Sequence, residues 1–90
     1  MESVTRQVQV EQRHIDAGCK LDASNCPLAH AFKDAFPEFD SFCVYGKSVD
    51  ISYEGWTKCC LLPDSAGAFV TAYDAGKEVS PFTFDFTVTV

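Results

Sequence analysis

Alternating apolar and polar residues predict strands near both ends of the chain. Residues 4–10 place three valines on one face, which Arg6 interrupts, and residues 82–90 carry Phe or Val at every second position. A period of two is typical of a strand with one buried and one solvated face. We therefore predict that the strand at 4–10 either lies at an edge or starts late, near Gln7, and that a long strand at 82–90 lies inside a sheet beneath the helices.

The middle of the chain predicts three short antiparallel strands. Residues 42–45, 48–53 and 56–62 are rich in β-branched and aromatic residues, and the second segment alternates without interruption. Two-residue turns separate them: Gly46-Lys47, with glycine first as a type II′ turn prefers, and Glu54-Gly55. Together these segments predict a meander of three strands.

Apolar residues at helical spacing predict two main helices, one at about 26–36 and one that opens at Pro63-Asp64-Ser65 and runs to about Asp74. We expect Ser24 or Asn25 to cap the first helix, and Pro27 lies where its missing N–H costs nothing. The apolar stripes are Leu28, Phe32, Ala35 and Phe36 in the first helix and Ala66, Phe69, Val70 and Tyr73 in the second.

A shorter helical segment completes the predicted fold. Residues 11–17 predict one or two turns, anchored by Ile15 and ended by Gly18 in the left-handed conformation. The order of elements is then β-α-α-β-β-β-α-β, and 90 residues suit a single domain, 1–90. We predict an α+β fold with two layers: a mainly antiparallel sheet of four or five strands, and helices packed on one face.

Composition and charge argue against several classes of function. Hydrophobic residues make up 47% of the chain, which is too many for a disordered protein. No run approaches the ~20 apolar residues of a membrane span, and no stretch near the N-terminus is typical of a signal peptide. The net charge is −6 and the seven basic residues are scattered singly, which disfavours nucleic acid and anionic membranes as partners. We expect a cytoplasmic protein.

Five cysteines and two histidines are the candidates for metal or thiol chemistry. An odd number of cysteines in a cytoplasmic chain favours free thiols, which pack as small hydrophobic groups. His14, Cys19, Cys26 and His30 would supply four zinc ligands, although their spacing differs from that of common zinc sites. Cys26 also lies near a helix N-terminus, where the dipole lowers the pKa of a thiol. We predict no catalytic residue, no cofactor and no enzyme activity.

Protein binding is the class of function that the remaining residues favour. Asp34, Glu38 and Asp40 cluster around the end of a predicted helix, where they form either a solvated face or an acidic patch that docks on a basic partner. Tyr53 and Trp56 flank a hairpin turn, where they serve either as binding hot spots or as a cross-strand pair. These five residues are our candidate protein-binding surface.

Three segments of the chain resemble a group of small proteins encoded by tailed bacteriophages and related bacterial mobile elements. The segments are HIDAG at 14–18, NCPLAHA at 25–31 and YDAGKEVSPFTF at 73–84. They are similar to the group pattern of an H-I-x-x-G helix, a C-P-[IL]-A-x-A segment and an F-[DE]-A-G-x-x-V-x-P-F-x-F tail. The chain departs from that pattern in four of its thiols: Cys19, Cys43, Cys59 and Cys60.

The resemblance implies a function by analogy, since small acidic phage proteins often act by binding a host protein. We therefore expect a non-enzymatic protein of phage or mobile-element origin that engages and modulates a protein of its bacterial host, such as a nucleic-acid-binding defence or transcription protein. An inhibitor of the anti-CRISPR type is one version of this hypothesis. The alternatives are a structural zinc- or redox-sensing domain, and self-association as a homodimer through the last strand or an edge strand.

Overall fold

The computed structural model of the protein describes residues 3–20 and 22–89. Its elements are β1 (Ser3–Val10), α1 (Gln12–Ala17), α2 (Pro27–Ala35), β2 (Ser41–Val44), β3 (Ser48–Tyr53), β4 (Trp56–Leu61), α3 (Asp64–Asp74) and β5 (Phe82–Thr89). The α+β class and the predicted order of elements are confirmed. Val90, the last residue of the predicted final strand, lies outside the described residues. Within the described residues, no helix combines the length and the apolar character needed to cross a membrane.

The five strands of the described ranges form two antiparallel sheets instead of the single sheet that we expected. β1 pairs with β5 along its whole length, from Ser3 opposite Thr89 to Val10 opposite Phe82. β2, β3 and β4 form the predicted meander in that order. β5 has one neighbouring strand, so its predicted place inside a sheet is wrong, although α2 covers its phenylalanine face.

Phe32 of α2 joins the two sheets at the centre of the core. Its side chain is fully buried and stacks on Phe42 of β2, with 5.3 Å between the ring centroids. It also meets Phe84 and Phe86 of β5 edge-on, at 5.7 and 4.9 Å. Aromatic pairs at these distances and angles are favourable beyond the area that they bury. The apolar stripe of α2 is thus the contact through which both sheets share one core.

α3 packs on the end of β5 and on α1. Its predicted core side is confirmed, since Ala66, Phe69, Val70 and Tyr73 are all buried. The ring of Phe69 lies 5.0 Å from that of Phe82, and the hydroxyl of Tyr73 donates to the carbonyl of Ile15 at 3.4 Å. The helix ends at Asp74 with Ala75 as its C-cap, and the next residue, Gly76, has a φ of 79°, in the left-handed region that glycine tolerates.

A histidine and a glycine hold α1 against α2. His14 is the buried residue of α1, whereas the predicted anchor, Ile15, is half-buried against the core. Gly18 has a φ of −72° and an extended backbone, so the predicted left-handed conformation is wrong. A Cβ at Gly18 would lie 2.6–2.8 Å from atoms of Pro27, and this close approach is what requires glycine there.

The start of α2 differs from the prediction in its capping residue. The N-cap is Cys26, whose Sγ accepts the backbone N–H of Ala29 at 3.4 Å. The expected caps, Ser24 and Asn25, instead bond to the carboxylate of Asp22. Short polar side chains readily make such local bonds, which take them away from the helix end. Pro27 occupies the first position of the helix, as predicted.

The two hairpin turns of the meander have different geometries. The turn at 46–47 lacks the positive φ that a type II′ turn needs at its first position, so that prediction is wrong. At 54–55, φ is 45° for Glu54 and 85° for Gly55, as in a type I′ turn. This geometry suits the right-handed twist of the two strands, and it brings Tyr53 and Trp56 opposite each other.

Candidate functional site

The four candidate zinc ligands do not come together. Among the described residues, no group of three or more histidine, cysteine or acidic side chains is arranged to hold a metal ion. Cys19 is exposed, Cys26 is buried at the start of α2, and His30 lies half-buried one turn further along that helix. His14 is buried at the contact between α1 and α2. The geometry therefore gives no support to zinc binding at these four positions.

Both ring nitrogens of His14 are used in structural hydrogen bonds. Nδ1 accepts the backbone N–H of Glu11 at 2.9 Å, so the ring proton is on Nε2. Nε2 donates that proton to Oδ2 of Asp34 at 2.6 Å. The imidazole thus links the first turn of α1 to α2 and is fixed in one tautomer. No ring lone pair is left to bind a metal or to accept a proton from a substrate.

Cys26 is a packing and capping residue. Its side chain is buried, and burial raises the pKa of its thiol even though the backbone N–H groups of Ala29 and Leu28 act in the opposite direction. The lowered pKa that we expected from the helix N-terminus is therefore wrong, because desolvation of the thiolate outweighs the dipole. The thiol form that results is a weak nucleophile.

Glu38 forms a bidentate ion pair with Arg6 of β1. Nη1 and Nη2 of the guanidinium donate to Oε1 and Oε2 at 2.5 and 2.6 Å, and Nη1 also donates to the carbonyl of Ala35. The guanidinium lies 5.1 Å from the ring centroid of Phe36. These hydrogen bonds lower the pKa of Glu38 to about 2. Arg6, which interrupts the apolar face of β1, thus ties that strand to the end of α2.

Asp34 shares its carboxylate between two donors. It accepts hydrogen bonds from Nε2 of His14 at 2.6 Å and from Nη2 of Arg13 at 2.7 Å, and these bonds hold the pKa of Asp34 below its usual value. The same groups line a small polar cleft of about 240 Å³ together with Gln7 and Gln9. The predicted acidic patch is therefore largely a set of ion pairs, in which arginines match two of the three carboxylates.

The other three candidate residues lie around the Glu54 turn. Oδ2 of Asp40 accepts the backbone N–H of Glu54 at 3.1 Å. The ring of Tyr53 lies 4.8 Å from that of Phe39 and 5.7 Å from that of Trp56. Tyr53 and Trp56 are half-buried, so each ring keeps an accessible part. They form the cross-strand pair that the sequence allowed, and they lie where β4 begins.

β4 is an edge of the meander, and its outer side is open. Trp56 directly follows a two-residue turn, so its backbone N–H and C=O form hydrogen bonds to β3. The same holds for every second residue after it, Lys58 and Cys60. The N–H and C=O groups of Thr57, Cys59 and Leu61 therefore point away from β3. Among the described residues, no backbone group forms a hydrogen bond to them. We call this side of β4 the open edge.

The open edge differs from the other edge of the same sheet. On β2, the outward N–H of Val44 donates to the carbonyl of Ala23 at 2.8 Å, so the loop before α2 closes part of that side. On β4, Thr57 and Cys59 are exposed, and Leu61 keeps 82% of its surface exposed. Unpaired backbone groups in a row can pair with a strand of another chain, and the exposed side chain of Leu61 lies beside them.

A groove of about 610 Å³ begins where β4 ends. It lies between α3 and the hairpin end of the meander, and we call it the helix–hairpin groove. Its volume is within the range of pockets that bind small ligands or side chains. Most of its lining residues are small or apolar: Leu61, Leu62, Gly67, Ala68, Ala72 and Ala75. Its charged lining residues are Lys47, Asp64 and Lys77.

The open edge and the groove lie outside the candidate site residues that the sequence predicts. Residues 56–62 were predicted as a strand, but they lack the alternation that marks one buried face. That lack is itself a signal, because a strand without a dry face is a candidate edge. A second signal is the pair Ala68 and Ala72 on the outer side of α3, where charged residues are usual.

Comparison with known proteins adds no further assignment, since no protein family, characterised protein or solved structure matches the chain.

Proposed function

We propose that the protein is a non-enzymatic binding domain that takes up an extended segment of a partner protein as an added strand along the open edge of β4. The partner is a protein of the bacterial host, met in the cytoplasm, as the resemblance to phage proteins implies. Inhibition of a host defence system, in the manner of an anti-CRISPR protein, is one version of the same proposal.

The observation that carries this proposal is the open edge itself. Unpaired N–H and C=O groups in a row are a template for another strand, and recognition by strand addition uses them for affinity. Natural proteins usually protect such edges with proline, bulges or charges. β4 contains no proline or glycine. The ammonium group of its one charged residue, Lys58, donates a hydrogen bond to the carbonyl of Thr89 at 3.0 Å.

Two further observations support a binding role over an enzymatic one. The groups best suited to acid–base or thiol chemistry, His14 and Cys26, are both committed to holding α1 and α2 in place. The half-buried pair Tyr53 and Trp56 lies at the start of β4, where an added strand would pass close to the exposed parts of the rings. Asp34 and Glu38 give weaker support as docking residues, because arginines already neutralise them.

The test is differential capture from a bacterial host lysate with three baits: the natural chain, Cys59→Pro and Cys59→Thr. Proline at position 59 removes an outward N–H without removing a bond to β3, whereas threonine keeps that N–H. We expect a host protein that the natural chain and Cys59→Thr retain and that Cys59→Pro does not. Equal retention by all three baits, or retention of no host protein by the natural chain, would overturn the proposal.

Hydrogen exchange gives a second measurement that does not depend on a variant. In the free protein, the amides of Thr57, Cys59 and Leu61 should exchange faster than those of Lys58 and Cys60, which bond to β3. In the purified complex, the three outward amides should become protected. Unchanged exchange at these amides in a complex that does form would place the partner elsewhere.

A further inference from the structure

The open edge and the helix–hairpin groove form one continuous surface. Leu61 is the last residue of β4, and its side chain also lines the groove, so a strand that pairs with β4 is led into the groove at that point. Beyond Leu61 the chain turns away through Pro63 into α3, whose outer side carries Ala68 and Ala72. Small side chains there leave room for a side chain of the added segment.

The charges around the groove favour an acidic occupant. Lys47 and Lys77 line it, and among residues 3–20 and 22–89 neither lysine has a carboxylate partner within ion-pair distance. Asp64, at the start of α3, also lines the groove. Arg6 and Arg13, by contrast, are both satisfied by acidic residues of the chain itself. Unpaired cations at the rim of an apolar groove are complementary to an apolar side chain with carboxylates beside it.

We infer that the helix–hairpin groove binds an apolar side chain of the partner segment, and that Asp or Glu residues flanking this side chain pair with Lys47 and Lys77. This inference rests on the proposed function, and it names the chemistry of the segment that β4 takes up.

A second copy of the chain is a poorer occupant than an acidic segment. If two β4 strands paired antiparallel, one copy would bring its Trp56 and its Glu54 turn to Leu61 of the other, so it would supply one carboxylate for the two lysines. An acidic segment can supply one for each lysine, because carboxylates can flank its apolar residue on both sides. The inference therefore commits to a segment from a different protein, and self-association becomes an outcome that the experiment detects.

The probe is a displayed library of short random peptides, selected for binding to the natural chain. We expect the enriched peptides to share an apolar residue next to Asp or Glu. A synthetic peptide with the shared sequence should bind roughly tenfold more weakly to the double variant Lys47→Gln/Lys77→Gln, since each exposed charge pair contributes roughly two- to fivefold to affinity. Ala68→Gln, which fills the groove without touching the core, should also weaken binding.

A pair of variants separates local attraction from the effect of net charge. Asp64→Asn and Asp85→Asn each remove one negative charge, but Asp64 lines the groove and Asp85 lies on the exposed face of β5. Asp64→Asn should tighten peptide binding by roughly two- to fivefold, and Asp85→Asn should leave it nearly unchanged. Equal tightening by both variants would show attraction by net charge alone and would overturn the inference.

The remaining outcomes distinguish failure of the inference from failure of the proposed function. Peptides that are basic or uncharged, or binding that survives the lysine variants, would overturn the inference. If that same binding is lost in Cys59→Pro, the proposed strand addition still holds. Two other outcomes would count against an acidic segment as the occupant. One is a library that yields no binding peptide. The other is a dimer of the natural chain, seen by light scattering, that Cys59→Pro converts to a monomer.

Discussion

Replacing Phe32 with alanine should test whether the two sheets depend on one shared side chain. Phe32 is fully buried and contacts rings from β2 and β5 at centroid distances of 4.9–5.7 Å. Removing a buried aromatic side chain of about 150–200 Å² should lower the free energy of unfolding by about 4–5 kcal/mol, at ~25 cal/mol per Å² of buried surface. Phe→Ala substitutions in protein cores lower the free energy of unfolding by a similar amount, about 3–5 kcal/mol.

Such a loss is large relative to the whole stability of the protein. A chain of 90 residues is expected to have an unfolding free energy of roughly 4.5–13.5 kcal/mol, at about 0.05–0.15 kcal/mol per residue. Urea unfolding followed by circular dichroism measures the difference, with Leu61→Ala as the control, for which we expect a change within about 0.5 kcal/mol. Phe32→Leu should lie between the natural chain and Phe32→Ala. A loss below about 1.5 kcal/mol for Phe32→Ala would refute the shared core, since buried phenylalanines cost more than this.

Three other predictions concern the groups that hold the elements together. Gly18→Ala should destabilise the fold by about 1–3 kcal/mol in the same urea assay, because the added Cβ clashes with Pro27. Gly46→Ala is the control: its added Cβ has no atom within 4 Å, so the change should be neutral or slightly stabilising. The ion pair with Arg6 depresses the pKa of Glu38 in the folded state, so Glu38 stabilises the fold above about pH 4.5 and loses this effect as the pH falls towards 2. The unfolding free energies of the natural chain and of Glu38→Gln should therefore converge between these pH values. A constant difference would contradict the ion pair. Alkylation with iodoacetamide, followed by mass spectrometry, should modify exposed Cys59 well before Cys26, and equal rates would contradict the burial of Cys26.

Most of the secondary structure could be predicted from periodicity, because the buried faces dominate the pattern. β3 has the predicted bounds, α3 ends at Asp74 as predicted, and every apolar residue of the predicted core side of α3 is buried. The division into two sheets could not be predicted in the same way. An alternating strand such as 82–90 shows that one face is dry, but it does not show how many strands pair beside it.

The local contacts that define the candidate site were harder to predict, since they depend on residues distant in sequence. Nothing near Gly18 in the sequence indicates that Pro27 packs on its Cα, and nothing near Glu38 indicates that Arg6 reaches it from β1. The acidic cluster was therefore expected to be more open than it is. The open edge is hard to predict for a different reason, because the missing alternation of residues 56–62 marks an exposed strand but does not show which of its backbone groups are unpaired.

The pairing of β1 with β5 has a consequence for how the protein is made. Ser3 and Thr89 lie 86 residues apart in the sequence, yet their hydroxyl groups are 3.3 Å apart. During synthesis β1 leaves the ribosome early, and the backbone N–H and C=O groups that pair with β5 stay unpaired until nearly the whole domain has emerged. Contacts of such long range slow folding, and unpaired strands invite aggregation while they wait. Ribosome-bound chains that end before β5 should therefore be the ones that depend most on chaperones.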